Sequence, residues 1–215
     1  MQRVRVWDLP VRLTHLGFLL LIPALWWTAE NGEMERHSQL GYALLFLLLF
    51  RLYWGFAGSR NARFASFMRG PAAINAYLRG RASRPVGHNP LGALSVVALL
   101  GLMATQISLG LFAQDSDGLF SGPLSHLISY DLSDAAREWH ERLFNLLAAL
   151  IALHVLAVLY YQLVKRDRIV EPMVTGKKRL PPQAEGGASA SWAALTAGLL
   201  LSAGVTWWVS LGAPL

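Results

Sequence analysis

Residues 138–161 read EWHERLFNLLAALIALHVLAVLYY, a run of Leu, Ala, Ile and Val that carries both His140 and His154. Along an α-helix their fourteen-residue spacing corresponds to ~21 Å of rise and ~1400° of rotation, so both imidazoles leave the helix within ~40° of one direction. One face of one apolar helix therefore presents two imidazoles at two depths.

Composition sets the solvent around that helix. The chain has 215 residues, 54% hydrophobic and 15% charged, with eight Trp, and a positive mean hydropathy. That balance is far from a soluble domain and indicates an integral membrane protein. A spanning helix needs about 20 predominantly apolar residues, and five segments qualify: 13–29, 40–56, 91–113, 143–164 and 192–211. The first is no cleavable signal peptide, because its apolar run is long and holds His15 and Pro23 in place of a small-residue cleavage site.

Flanking charge gives an orientation. Arg3, Arg5 and Arg12 stand against Asp8 in the N-terminal tail. The connection from Gly58 to Pro90 carries Arg60, Arg63, Arg69, Arg79, Arg81 and Arg84 with no acid, and Lys165, Arg166, Arg168, Lys177, Lys178 and Arg179 follow the fourth span. By the positive-inside rule these three segments are cytoplasmic, which puts the N-terminus inside and, if the fifth span inserts, the C-terminus outside. The remaining connections hold Glu30, Glu33, Glu35, Asp115, Asp117, Asp131 and Asp134 and face outward. The net charge of +6 is a topology signal and not a nucleic-acid footprint.

The chain has no cysteine, which excludes cysteine-ligated iron–sulfur clusters and the C-x-x-C-H attachment of covalent haem. The six histidines then become informative. His15 lies near the inner end of the first span, His37 opens the second at its outer end, and His140 and His154 are the outer and inner residues of the fourth. Histidine at membrane depth usually faces a bundle interior and is a functional candidate. Each one alone could simply bond a neighbouring helix's backbone. Two inner and two outer ones match bis-histidine ligation of two non-covalent b haems, in which helices each offer an imidazole to one iron. Depth pairs His15 with His154 and His37 with His140. His15 is only a few residues into its span whereas His154 is about ten residues, or ~15 Å, from the end of its own, so tilt or a fourth helix prolonged into the cytoplasm must absorb the difference. His126 has the same offset from His140, but Asp131, Ser133 and Asp134 intervene and signal a break with a new N-cap; it is expected to stay unligated.

The stretches VRVWDLPVRLTH, LGYALLFLLLFRLYWGFAGSRNARFASFMRGP, GHNPLGALSVVALL, FNLLAALIALHVLAVLYY and LVKRDRIVEPMVTGKK resemble the bacterial di-haem cytochrome b family, which includes the cytochrome b561 proteins and the cytochrome b subunits of nickel–iron hydrogenases. The resemblance covers about residues 3–180. It implies an all-α integral membrane protein of the bacterial inner membrane: a four-helix transmembrane bundle holding two b haems that exchanges electrons with the quinone pool. Its four ligand positions fall on His15, His37, His140 and His154. The expected organisation is a di-haem domain over 1–180, then, over 181–215, a cytoplasmic linker and an extra transmembrane helix that either packs beside the bundle or docks a partner.

Other residues follow from that expectation. Gly41, Gly101 and Gly110 would leave room for a flat macrocycle, or serve close helix packing. Arg51 lies within an apolar span, where a guanidinium needs a partner or must snorkel; a haem propionate or a quinone carbonyl would satisfy it. Arg12, and more weakly Arg60 and Arg63, are candidates for inner propionates, Arg36 and Arg142 for outer ones. Trp7, Asp8, Arg12 and His88 supply suitable groups for an inner quinone site, although Trp7 also suits an interfacial anchor. Quinone would be an exchangeable substrate, lipid the surrounding partner, and a homodimer or a place in a larger complex is compatible.

Two functions compete. In one, the chain is an electron-transfer subunit linking quinone to a periplasmic redox protein, such as a cytochrome c or a hydrogenase. In the other, it is itself a superoxide:quinone oxidoreductase acting at the outer haem. The seven outer carboxylates favour a basic protein and disfavour steering an anion, so the first is preferred.

Overall fold

A computed structural model of the chain describes residues 2–81, 87–115, 117–181 and 190–214. Arg84 and most of the segment preceding the last helix lie outside the described residues. Among those described, five helices are long and apolar enough to cross a membrane. They are α1 (Leu9–Glu30), α2 (Met34–Ala57), α5 (Pro90–Phe112), α6 (Tyr130–Leu159, prolonged by a π-helical turn over Tyr160–Val164) and α8 (Trp192–Ser210). The short elements are β1 (Gln2–Arg5), α3 (Phe64–Phe67), α4 (Pro71–Leu78), α7 (Val170–Thr175) and β2 (Lys177–Leu180).

Local chemistry starts α1, α2 and α6 earlier than hydropathy alone predicts, while α5 and α8 open within a residue of the expected start. Asp8 caps α1 by accepting from the Val11 amide at 2.9 Å, and Pro10 sits in the first turn, where its missing N–H costs nothing. Asn89 and Ser191 cap α5 and α8 in the same way, at 2.7 and 3.1 Å. α2 opens at Met34, so His37 lies in its first turn. His126 occupies a separate 3-10 turn, Ser125–Leu127, and the chain breaks before α6, whose cap is Ser129. The first turns of α6 are charged: Arg137 bridges Asp134 and Glu141 at 2.7 and 2.9 Å, and Arg142 meets Glu138 at 2.9 Å. That part of the helix stands clear of the apolar segment.

The bundle is built from two hairpins, α1 on α2 and α5 on α6, with α8 laid along α2. Gly198 permits that last contact, since a Cβ there would fall 2.5 Å from Tyr53 Cδ1. The fifth span thus packs beside the bundle. The hairpins meet through α2 and α5, where Leu25, Leu44, Leu48, Leu100 and Met103 form one apolar cluster. α6 has no comparable contact with α1 or α2, so a cleft separates the imidazole-bearing face of α6 from the α1–α2 hairpin. Leu19, Leu20, Leu153, Leu156 and Leu200 are exposed, as expected of side chains solvated by acyl chains.

The arginine-rich end is closed by contacts hydropathy could not foretell. β1 pairs antiparallel with β2, Arg3 opposite Arg179, burying Val4 and Val6. The Val6 amide donates to the Gly176 carbonyl at 2.8 Å, and Arg12 donates through Nε and Nη2 to the carbonyls of Met173 and Val174 at the end of α7, where a cation suits the helix dipole.

Candidate functional site

At the acidic end, α2 brings His37 and α6 brings His140 to a ring-centroid separation of 6.2 Å with planes at 82°. An imidazole nitrogen binds a first-row metal at about 2.0–2.1 Å and lies about 1.1 Å from its ring centre, so two imidazoles on opposite sides of one metal would have centroids about 6.3 Å apart. The observed spacing matches. Each Nδ1 bonds a backbone carbonyl of the neighbouring helix: His37 to Leu25 and His140 to Gln106, both at 2.9 Å. A carbonyl only accepts, so both rings carry their proton on Nδ1 and present a bare Nε2. This arrangement orients an imidazole for a metal and raises its basicity.

The supporting residues reinforce that placement. Gln106 returns a bond from its Nε2 to the His140 carbonyl at 2.8 Å, so α5 and α6 are stitched reciprocally at this level. Thr28 Oγ1 lies 3.4 Å from His37 Nδ1. A Cβ on Gly110 would lie 2.8 Å from His140 Cε1; the glycine lets α5 close against the ring. Gly41, one turn beyond His37, has open space where a Cβ would point. Gly101 is also open, but its nine-residue offset from Gly110 puts it on the opposite side of α5, away from the imidazoles. Among the described residues no cluster of three or more His, Cys, Asp or Glu could hold a metal ion. A b-type haem brings its remaining iron ligands in its own macrocycle, so two imidazoles are the protein donors such a group requires. Gly110→Val is expected to displace the His140 ring, costing about 1–3 kcal/mol in overpacking, and to deplete any haem that this ring ligates, as read from low-spin haem absorbance per chain.

At the basic end, His15 and His154 lie close enough to interact electrostatically. His154 Nδ1 is 3.2 Å from Ser95 Oγ; a hydroxyl donates or accepts, so this contact orients the ring without choosing its tautomer. Because α1 begins at Leu9, His15 stands ~9 Å into its helix against ~15 Å from His154 to Val164, which narrows the difference in depth expected from hydropathy. Leu147, midway between His140 and His154 on the same face, is 2% exposed.

Arg51 is 6% exposed. Its guanidinium sits 5.1 Å over the Phe64 ring and reaches the Ala62 carbonyl at 3.4 Å, and no carboxylate among the described residues forms an ion pair with it. Arg12 has spent two donors on α7, Arg36 pairs with Glu33 at 2.7 Å and Arg142 with Glu138; Arg60 and Arg63 are exposed. Of the four residues expected at an inner quinone site, Trp7 and His88 are in contact, with ring centroids 4.6 Å apart. Asp8 is committed to the Val11 amide and, through Oδ2, to Trp54 Nε1 at 2.8 Å. A separate cavity of about 180 Å³ opens at this end between Arg5, Asp8, Leu9, Trp54, Ser191 and Trp192. His88 also touches Phe67, centroids 4.6 Å apart. Burial, then the charges of Arg51, His154 and His15, push its pKa down to about 4, so the ring is neutral.

Gln106, Thr28 and Ser95 were not anticipated from sequence. A glutamine inside an apolar span is itself a signal, but which imidazole it serves depends on packing. His126 lies against Gly212 beyond α8, away from the paired imidazoles.

A helical membrane bundle with imidazoles paired across an interhelical cleft is the architecture of a membrane haem protein. The family model for prokaryotic cytochrome b561 matches residues 6–176, and the chain belongs to that family. It is similar to the probable Ni/Fe-hydrogenase B-type cytochrome subunit of Cupriavidus necator, 25% identical over 209 residues covering 80% of this chain and 85% of the relative. The probable Ni/Fe-hydrogenase 1 B-type cytochrome subunit of Escherichia coli K12 is 23% identical over 208 residues, 80% of this chain and 88% of that one. A probable Ni/Fe-hydrogenase B-type cytochrome subunit of Azotobacter chroococcum is 25% identical over 159 residues, 65% of each. No solved structure matches the chain significantly. The chain is thus a multi-pass bacterial membrane protein of a b-type cytochrome family that serves electron transfer.

Proposed function

We propose that this chain holds two non-covalent b haems, between His37 and His140 at the acidic end and between His15 and His154 at the basic end, and connects a quinone to a periplasmic redox protein. The observation that carries the reading is the His37–His140 pair: a separation fitting one shared metal, with both Nδ1 atoms tied to carbonyls. Haem b in such a site supplies a reversible one-electron carrier. His15, His37, His140 and His154 would be the axial ligands. Arg51, buried without an ion pair, would meet a propionate; Arg12 keeps only Nη1 for that purpose, and its main work is holding α7.

By the positive-inside rule the basic end would face the cytoplasm, with the N-terminus inside and, if the fifth span inserts, the C-terminus outside. Quinone exchange is assigned to the basic end, where the cavity beside Trp54 and Trp192 offers a largely apolar slot. The acidic end would meet the soluble partner, a basic cytochrome c or a hydrogenase-like protein in a larger complex. The names of the relatives favour the hydrogenase-like choice. Direct oxidation of superoxide at this end is the second reading, and the acidic connections disfavour it.

The test is a pyridine haemochrome count with a reduced-minus-oxidised spectrum on detergent-purified protein. Two low-spin b haems per chain are expected; one or none overturns the two-site reading.

A further inference from the structure

His88 is the outlier at the basic end. Its ring is clamped between Trp7 and Phe67, each 4.6 Å away, while its Nδ1 is buried with no hydrogen-bond partner. An unpaired buried polar atom is destabilising, and this one is held between two aromatic walls. Arg51 belongs to the same assembly: it lies over Phe64, Phe64 meets Phe67 edge-on at 5.9 Å, and Phe67 meets His88. The charges of Arg51, His15 and His154 all act on His88. A buried guanidinium that forms no ion pair, reached only by the charge of Asp8, and a buried imidazole nitrogen without a partner thus belong to one aromatic-lined assembly at the basic end.

We infer that His88 and Arg51 bind one carboxylate between them, and that this carboxylate belongs to the group held by His15 and His154, as a porphyrin propionate would. The inference rests on the proposed basic-end haem. A neutral quinone carbonyl would satisfy the His88 nitrogen but would leave Arg51 without an ion-paired partner, because Asp8, whose charge reaches it, has both oxygens committed to Val11 and Trp54; an anion answers both. In this arrangement Trp7 and Phe67 are positioning residues that hold the imidazole in place.

The test uses the purified full-length protein, reading haem content and the midpoint potential of each haem by spectroelectrochemical titration. Removing a donor leaves more negative charge near the iron and favours its ferric form. His88→Phe keeps the aromatic sandwich and is expected to lower the basic-end potential by about a tenfold shift in the ferric/ferrous equilibrium, ~59 mV for one electron, with the acidic-end haem unmoved. His88→Gln, which retains a donor, should restore most of the shift. Arg51→Gln should lower the same potential, and the double variant should fall short of the sum, because the two residues serve one carboxylate.

An unshifted basic-end potential in His88→Phe, with both haems present, overturns the inference; a raised KM for quinol in that variant would assign the nitrogen to quinone instead. Additive shifts would also overturn it, by giving the two residues separate ligands. Retention of both haems in His154→Ala would defeat the underlying two-haem reading, a result distinguishable from these.

Discussion

Replacing either His37 or His140 by alanine is expected to halve the haem content, from two per chain to one, and to remove the same haem in both cases. The double variant should lose nothing more, because one imidazole cannot hold a six-coordinate iron and both rings serve a single centre at their 6.2 Å separation. His15→Ala and His154→Ala should form a second such set. His126→Ala should leave both haems low-spin, since that residue lies in the 3-10 turn against Gly212. A pyridine haemochrome assay on the six proteins decides the matter. If His126→Ala lost a haem and His37→Ala did not, the acidic-end ligand would have been misassigned.

The second large effect concerns direction. With the acidic end facing the partner and the basic end facing quinone, His154→Ala should still accept electrons from the partner into its remaining haem, while transfer to a quinone analogue falls to background. His140→Ala should show the reverse: entry from the partner is blocked, yet a quinol still reduces the haem that is left. The two histidines are ~21 Å apart along α6, so losing either centre leaves a long gap filled by side chains such as Leu147. Stopped-flow reduction of both variants, with each donor in turn, separates the outcomes. Rapid quinone reduction in His154→Ala would move the quinone site to the acidic end.

Much of this was legible before any coordinates. The five spans, their charge asymmetry and the shared face of His140 and His154 all follow from spacing and composition, because in a bilayer each helix satisfies its own backbone and hydropathy registers it directly. The start of α1 was less legible: Asp8 sets it by capping, a short-range effect that a hydropathy window averages away. Partners across helices were not legible at all. That the Leu25 and Gln106 carbonyls would receive the two Nδ1 protons depends on how the hairpins dock, and the pairing of residues 2–5 with 177–180 joins segments with no local signal linking them. Gly101, assigned with Gly41 and Gly110 by residue type alone, proved to stand on the other side of α5.

That strand pairing has a consequence for biosynthesis. β1 precedes α1, yet its partner β2 emerges only after α6, so two segments far apart in sequence must find one another after four spans are already in place. Until then Val4 and Val6 have no cover and Arg12 has no α7 carbonyls to hold. The paired imidazoles of the acidic end have their elements once α6 is inserted, whereas the ribbon of β1 and β2 stays open until residue 180 arrives. Both ends then wait for α8, which brings Leu195 to the cluster around Trp54 and Val209 to the one around Leu45, so the fifth span is the bolt drawn last across both doors.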